Sequence, residues 1–547
     1  MDTKDNESKE KPTGKFVTTS KIELKPFYSP DDLKDFDYTR DIGDPGQPPY
    51  VRGIYPEMYR VQPWMVLQLS GFETIEATRE RMTLLFEKGY RGYDLFDMAS
   101  FNMIPDVPSC SAAIDPDDPL ARGLVGKCGV SLSTQEDFRT LLEGLPLEKL
   151  HLSIISHSSA PGIYALWVAQ AMEQGAKSNI LHGDIVASLD EGFLQNRRDY
   201  SPEGALRIRA DMIRYSVKNT PHINFNFDSY QIRDKGANAV QELGFCLARA
   251  IASIEECLRR DVSIEEVAAV TTFHMSCEND FFEEICKLRA MRRMWTKILR
   301  DRFNLKNKSY QRAKIFVQTA GSSLTLQQPL NNIARVTIQG MASILGGTNA
   351  LSLDCYDEAA SIPSEHAAKQ SLRIHQILLH ESNAGNVVDP LAGSYFVESL
   401  TNQIEEGAWD CIKAVDNVGG WCKAVRSGYI KSEIERNAYE YASEIWDGKR
   451  TIVGVNKFKD EDGDNDDVQL EMGHKYQQGE EVIINRVKKF KESRNQAKVR
   501  ESLAVLKDAA SDENADMTPR TIDAAKAGAT MGEICGVFKE VFGWEVW

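Results

Sequence analysis

Residues able to do chemistry gather in one short stretch of this chain. In Ile223-Asn-Phe-Asn-Phe-Asp228 the odd positions are apolar, while Asn224, Asn226 and Asp228 carry two amides and a carboxylate. A strand sends successive side chains to opposite faces, so the segment has one apolar face and one hydrogen-bonding face. Ser153, Thr271 or Thr272, and Gln318 stand on neighbouring predicted strands and add hydroxyl and amide groups. Two arrangements fit this pattern. One is a polar lumen threaded by a ligand; the other is a polar layer satisfied by internal waters, or a strand read one residue out of register. The nine histidines lack H-x-x-x-H or other metal-ligand spacing, and the ten cysteines form no C-x-x-C pair. That pattern reads as free buried thiols in a reducing cytoplasm, with no metal site.

The elements that must position these residues follow a repeating order. From about residue 90 to 400, short apolar or alternating runs are each followed by a long amphipathic pattern, the mark of βα units around a parallel sheet. Strands are expected at Tyr93-Asp-Leu-Phe-Asp-Met98, 150–155, 180–187, 223–228, 267–273, 314–319 and 350–354. An extended Pro-rich loop is expected between about Met98 and Asp118. Seven or eight such units favour a closed (β/α)8 TIM-type barrel, class α/β, over an open doubly wound sheet. Helices cover the outside of a barrel, which turns Phe225 and Phe227 outward and Asn224, Asn226 and Asp228 into the lumen; ordinary lumens are filled with Val, Ile and Leu. The expected organisation is an N-terminal arm over 1–60, partly disordered, the barrel over 61–410 and a helical extension over 411–458. An acidic linker over 459–479 and a C-terminal helical appendage over 480–547 complete it.

With 547 residues the chain is long enough for one large domain with accessory segments. It has no apolar run able to span a bilayer, and Met1 to Lys15 lacks the apolar core of a signal peptide, which points to a cytoplasmic protein without a membrane partner. A net charge of −16 argues against a nucleic-acid partner, because phosphate binding relies on clustered cations.

Five ordered segments identify a relationship. Gly53-Ile-Tyr-Pro-Glu-Met-Tyr59, Gln318-Thr-Ala-Gly-Ser-Ser-Leu-Thr325, Leu345-Gly-Gly-Thr-Asn-Ala-Leu351, Asp357-Glu-Ala359 and Val388-Asp-Pro-Leu-Ala-Gly-Ser-Tyr395 resemble the large subunit of the methylmalonyl-CoA and isobutyryl-CoA mutase family. Val453-Gly-Val-Asn456 and Gly532-Glu-Ile-Cys535 extend the likeness to roughly residues 25 to 545. The resemblance implies a barrel that sheathes an acyl-CoA and a radical carbon-skeleton isomerisation that uses adenosylcobalamin. None of the nine histidines lies in a D-x-H-x-x-G context, so a separate small cobalamin-binding subunit is expected to supply the lower-ligand histidine within a hetero-oligomer.

Carried over residue by residue, the likeness assigns Tyr230 and Gln231 to the reacting thioester. Tyr55, Met58, Leu69, Gln195 and Asn349 join Asn224 and Asn226 along the substrate. Asp234, Gln318, Gly321, Ser322, Gly346, Gly347, Glu358 and Ala359 face cobalamin. Several of these positions depart from the family. Gln231 stands where its G-Y-H motif has histidine, Gln195 where an arginine grips a free carboxylate, and Leu69 where a tyrosine stands. Gln62, Leu67 and Val270 replace arginines near CoA. A second carboxylate without a guanidinium partner is costly to bury, so the expected substrate is an acyl-CoA lacking one, as in isobutyryl-CoA mutase. The same losses fit a non-catalytic paralogue that partners an active mutase, or a mutase for a non-CoA substrate.

Overall fold

The computed structural model describes residues 16–71, 73–87, 99–175, 178–459 and 479–546. Its main sheet is wholly parallel. Met65–Val66 and Gln68–Ser70 flank Leu67 and act as one strand, β1, which pairs with the last strand on one side and the second on the other. The sheet therefore closes on itself. The other strands are β2 (Ala99–Met103), β3 (Leu150–Ile155), β4 (His182–Val186), β5 (Ile223–Asp228), β6 (Thr271–Cys277), β7 (Ile315–Thr319) and β8 (Ala350–Ser352).

Two strand expectations change. Tyr93–Met98 lies outside the described residues, and β2 begins at Ala99, inside the stretch expected to be loop. Ile264–Ala269 is a helix with a Ser263 capping box, so the strand expected over 267–273 starts four residues later and runs on through His274 to Cys277. The eighth stave, β1, had no counterpart among the expected strands. Its halves are only two and three residues long, too short for a strand pattern to stand out.

Register settles which face is which. Asn226 pairs with Thr272, Asp228 with His274, His274 with Phe316, and Ser276 with Gln318, so one hydrogen-bonding face continues from strand to strand. The opposite face is apolar and packs under the helices. Phe225 meets Tyr164 at 5.7 Å between ring centroids, Phe227 meets Phe273 at 5.9 Å, and Phe273 meets Trp295 at 4.8 Å. Each such buried ring contributes about 1.5–3 kcal/mol relative to exposure. The alternation therefore fixes the inside of the barrel through the outside.

The C-terminal helices pack on the barrel and reach its rim. Thr530 Oγ1 donates to Asp115 Oδ2 at 2.6 Å and Gly532 N to Asp115 Oδ1 at 2.9 Å. A side chain at Gly162 would come within 3.0 Å of Met531, so the helix Met531–Phe542 lies close on Ala160–Glu173. Glu545–Val546 then pairs antiparallel with Arg198–Asp199, in the loop after β4. Among the described residues no helix is long and apolar enough to cross a membrane.

Candidate active site

Loops leaving the C-terminal ends of the strands form the mouth of the barrel. After β4 comes a short turn, Gly192–Gln195, followed by Arg197; after β5 comes the helix Tyr230–Asp234. Arg197 Nε donates to Gln195 Oε1 at 3.0 Å, and Gln195 Nε2 donates to Gln231 Oε1 at 3.0 Å. Guanidinium has donors only, so it fixes the first amide and the first fixes the second. With its carbonyl oxygen accepting from Gln195, Gln231 is left with its amide N–H groups as donors to whatever lies beside it. Arg197 is held in turn by Ser111 O at 3.0 Å, Ser158 Oγ at 2.9 Å and Asp199, 3.5 Å away.

The far side of the mouth is acidic and buried. Gln318 Nε2 donates to Asp354 Oδ1 at 3.1 Å, and the Tyr230 hydroxyl accepts from Gly321 N at 3.1 Å. Burial lifts the Glu358 carboxyl to about 7, with Asp357 and Asp234 adding to the shift. Burial and Glu358 together push Asp354 well above the usual carboxyl range. Asp354 therefore favours its neutral, hydrogen-donating form, while Glu358 is shared between its two forms near neutral pH.

Below the mouth the lumen wall is polar and under-satisfied. Asn226 Nδ2 donates to Thr272 Oγ1 at 3.1 Å, Thr272 Oγ1 to Asp184 Oδ1 at 3.1 Å, and His151 Nε2 lies 2.8 Å from Asp184 Oδ2. Ser100 Oγ, both side-chain atoms of Asn102, Ser153 Oγ, Asn226 Oδ1 and Ser352 Oγ are buried without a hydrogen-bond partner among the described residues. Natural interiors hold few such groups, and a run of them along one lumen suits a polar ligand or a file of internal waters. At the opposite, N-terminal end the lumen opens into a cavity of about 150 Å³. Tyr55, Met58, Gln62, Lys314 and Asn349 line it.

A family model described as methylmalonyl-CoA mutase matches residues 17–544. The chain belongs to the methylmalonyl-CoA mutase family. The 2-hydroxyisobutanoyl-CoA mutase large subunit of Aquincola tertiaricarbonis is 35% identical over 532 residues, covering 96% of this chain and 92% of that protein. Methylmalonyl-CoA mutase of Rhizobium meliloti (strain 1021) is 34% identical over 96% of this chain and 72% of its own length. The mitochondrial methylmalonyl-CoA mutase of Homo sapiens is 33% identical over 96% and 68%. The chain is an isomerase of this acyl-CoA mutase family, whose members depend on adenosylcobalamin.

Within that family frame the structure divides the predicted site residues between two ends. Gln195, Tyr230, Gln231, Asp234, Gln318, Gly321, Ser322, Glu358 and Ala359 lie on strands or loops at the C-terminal mouth. Leu69 pairs with Asn102 in the lumen wall, and Asn226 lies in the same wall. Tyr55, Met58, Asn224 and Asn349 line the N-terminal cavity. Gly346 and Gly347 do not reach the mouth. They turn the chain from the helix Asn331–Leu345 into β8, and helix-to-strand turns lie at the N-terminal end of a barrel. Gly347 there has φ +82° and abuts the Arg292 guanidinium, while a side chain on Gly346 would strike Leu288. Their assignment to cobalamin is corrected accordingly.

The mouth residues fit a corrin edge, which carries neutral amide groups. The Asp354 carboxyl, Gln318 and the Tyr230 hydroxyl can exchange hydrogen bonds with amides, and Asp354 Oδ2 and Glu358 Oε2 have no hydrogen-bond partner among the described residues. Sequence reasoning missed four residues. Arg197 and Lys314 were hidden because nothing local marks them as site residues. His157 follows β3 and takes φ +35°; burial pushes its imidazole down to about 4. His274 fell one residue beyond the expected strand end, although Thr272, His274 and Ser276 continue the alternation that exposed Asn224 and Asn226.

Proposed function

We propose that the chain is the large, substrate-enclosing subunit of an adenosylcobalamin-dependent mutase that rearranges an acyl-CoA lacking a second free carboxylate. A separate small subunit carries cobalamin and its lower-ligand histidine, and the two assemble in the cytoplasm as a hetero-oligomer. When bound, the cofactor supplies the radical that starts the rearrangement. The chain's residues bind, orient and shield the acyl group.

The observation that carries this reading is the Arg197–Gln195–Gln231 relay. The position expected to grip a second carboxylate is an amide already engaged on both sides, and the Arg197 guanidinium beside it donates to Gln195, Ser111 and Ser158, with Asp199 3.5 Å from its Nη2. A second carboxylate would therefore have to compete with Asp199 and the amide relay for that guanidinium. The Gln231 amide N–H is left as the donor toward the thioester carbonyl. It is a neutral donor, weaker than a charged imidazolium would be.

The alternative of a scaffold subunit is disfavoured by the lumen, since a barrel that binds nothing has no use for a run of unsatisfied polar groups. The test mixes the purified chain, a cobalamin-binding small subunit and adenosylcobalamin with isobutyryl-, pivaloyl-, 2-hydroxyisobutyryl- and methylmalonyl-CoA. Cob(II)alamin absorbance and isomerised product are expected with a thioester from the first three. Turnover of methylmalonyl-CoA alone, or of none, would refute the proposal.

A further inference from the structure

His274 lies on the inward face of β6, between Thr272 and Ser276, and is only 2% exposed. Its Nδ1 lies 3.1 Å from Asp228 Oδ1, out of line for an ideal hydrogen bond, and its Nε2 has no partner among the described residues. Asp228 is itself fixed, accepting from Tyr230 N at 3.0 Å and from Ser188 Oγ at 3.1 Å. The imidazole is stacked between two rings: Tyr230 at 5.3 Å and 3°, and Phe316 at 4.4 Å and 7°. Stacked on both faces and set beside the Asp228 carboxylate, the ring has neither nitrogen in a well-formed hydrogen bond among the described residues. A buried nitrogen held this firmly without a hydrogen bond needs an explanation, and packing alone would be met better by an apolar ring.

Charge narrows the ligand. The neighbouring imidazole holds the Asp228 carboxyl well below the usual range, against the effect of burial, so an anion already faces His274. A substrate carboxylate at Nε2 would bring a second anion into the same low-dielectric wall. A neutral oxygen would not. Tyr230, which stacks on the imidazole, adjoins Gln231 in sequence on the helix that follows β5.

We propose that His274, seated by Asp228 and clamped between Tyr230 and Phe316, is a specificity-determining residue that reads a hydroxyl or keto oxygen on the substrate acyl group. The inference rests on the acyl-CoA reading above and narrows it to oxygenated acyl thioesters. A site built to hydrogen-bond such an oxygen rejects an isostere that lacks it far more strongly than an apolar pocket rejects an added hydroxyl.

The experiment measures equilibrium binding to the full chain by isothermal titration with two pairs that differ by hydroxyl against methyl. These are lactoyl-CoA with isobutyryl-CoA, and 3-hydroxybutyryl-CoA with isovaleryl-CoA. At least one hydroxyacyl thioester should bind about 10–100-fold more tightly than its partner. His274→Phe, which keeps the aromatic stack, should bring that ratio to within about threefold; Asp228→Asn, which releases the imidazole, should lower it as well and serves if the first variant does not fold. Equal affinities in both pairs for the unmodified chain, or a ratio that survives in a folded variant, would overturn the inference and leave Nε2 to water. Equal, measurable binding of isobutyryl-CoA removes only this inference, whereas no binding of any of the four removes the acyl-CoA reading along with it.

Discussion

The two ends of the barrel are built on opposite electrostatic plans. The C-terminal mouth rests on buried ions. Fully buried Arg249 pairs with Glu191, and Lys287 lies 2.6 Å from Glu242, while Arg233, on the same helix as Gln231, lies 3.9 Å from Glu242 and 3.2 Å from Glu284. The N-terminal end has an open cavity, one His151–Asp184 pair, and a largely buried lysine whose Nζ donates to Ala269 O at 2.7 Å. Burial lowers the affinity of Lys314 for its proton. Buried ion pairs add little net stability, yet losing one partner is expensive, so they hold a loop in one geometry. The contrast teaches that the mouth is held by paired buried charges, while the N-terminal end keeps open space and a single partly shielded lysine.

The strongest way to break this contrast is Arg249→Met. It strands Glu191 under the mouth and should cost about 3–5 kcal/mol in a urea titration; a loss below about 1 kcal/mol would show that the buried ions do not support this end. Next comes Arg197→Met, which frees both amides of the relay. In the assembled holoenzyme kcat should fall about 10–100-fold with KM nearly constant, and Arg197→Lys, still able to donate to Gln195, should recover part of the loss. At the other end Lys314→Met should raise KM for a CoA thioester about tenfold and leave kcat alone, so an effect on kcat would blur the division of labour.

The smallest effect concerns pH. Glu358 titrates near 7 when folded, above its value of 4.5 in the open chain, so folding takes up a proton between those limits. Stability therefore falls as pH rises from about 4.5 to 7 and levels off beyond. Glu358→Gln removes that slope, and its melting curve should gain on the parent by on the order of 1 kcal/mol between pH 5 and pH 8. A constant difference across that range would mean that the mouth is not neutralised as described.

Legibility followed the range of the interaction. β3 and β5 were read to the residue, because each has a run of apolar or alternating side chains bounded by turns. β1 was not legible, since neither half exceeds three residues and only pairing with β2 and β8 makes them a strand. The glutamines at 195 and 231 could be singled out only by resemblance. Their mutual hydrogen bond, across 36 positions, depends on how two loops meet at the rim.

Sequence alone determined the parallel barrel, its polar inner face and membership of a mutase family, because alternation and ordered local segments are written in neighbouring residues. Tertiary structure decided which end each segment serves. It separated Gly346 and Gly347 from Gly321, brought Arg197 to Gln195, and set Asp228 against His274. Those outcomes depend on the closing of the sheet and the register between strands, which no short window of residues contains.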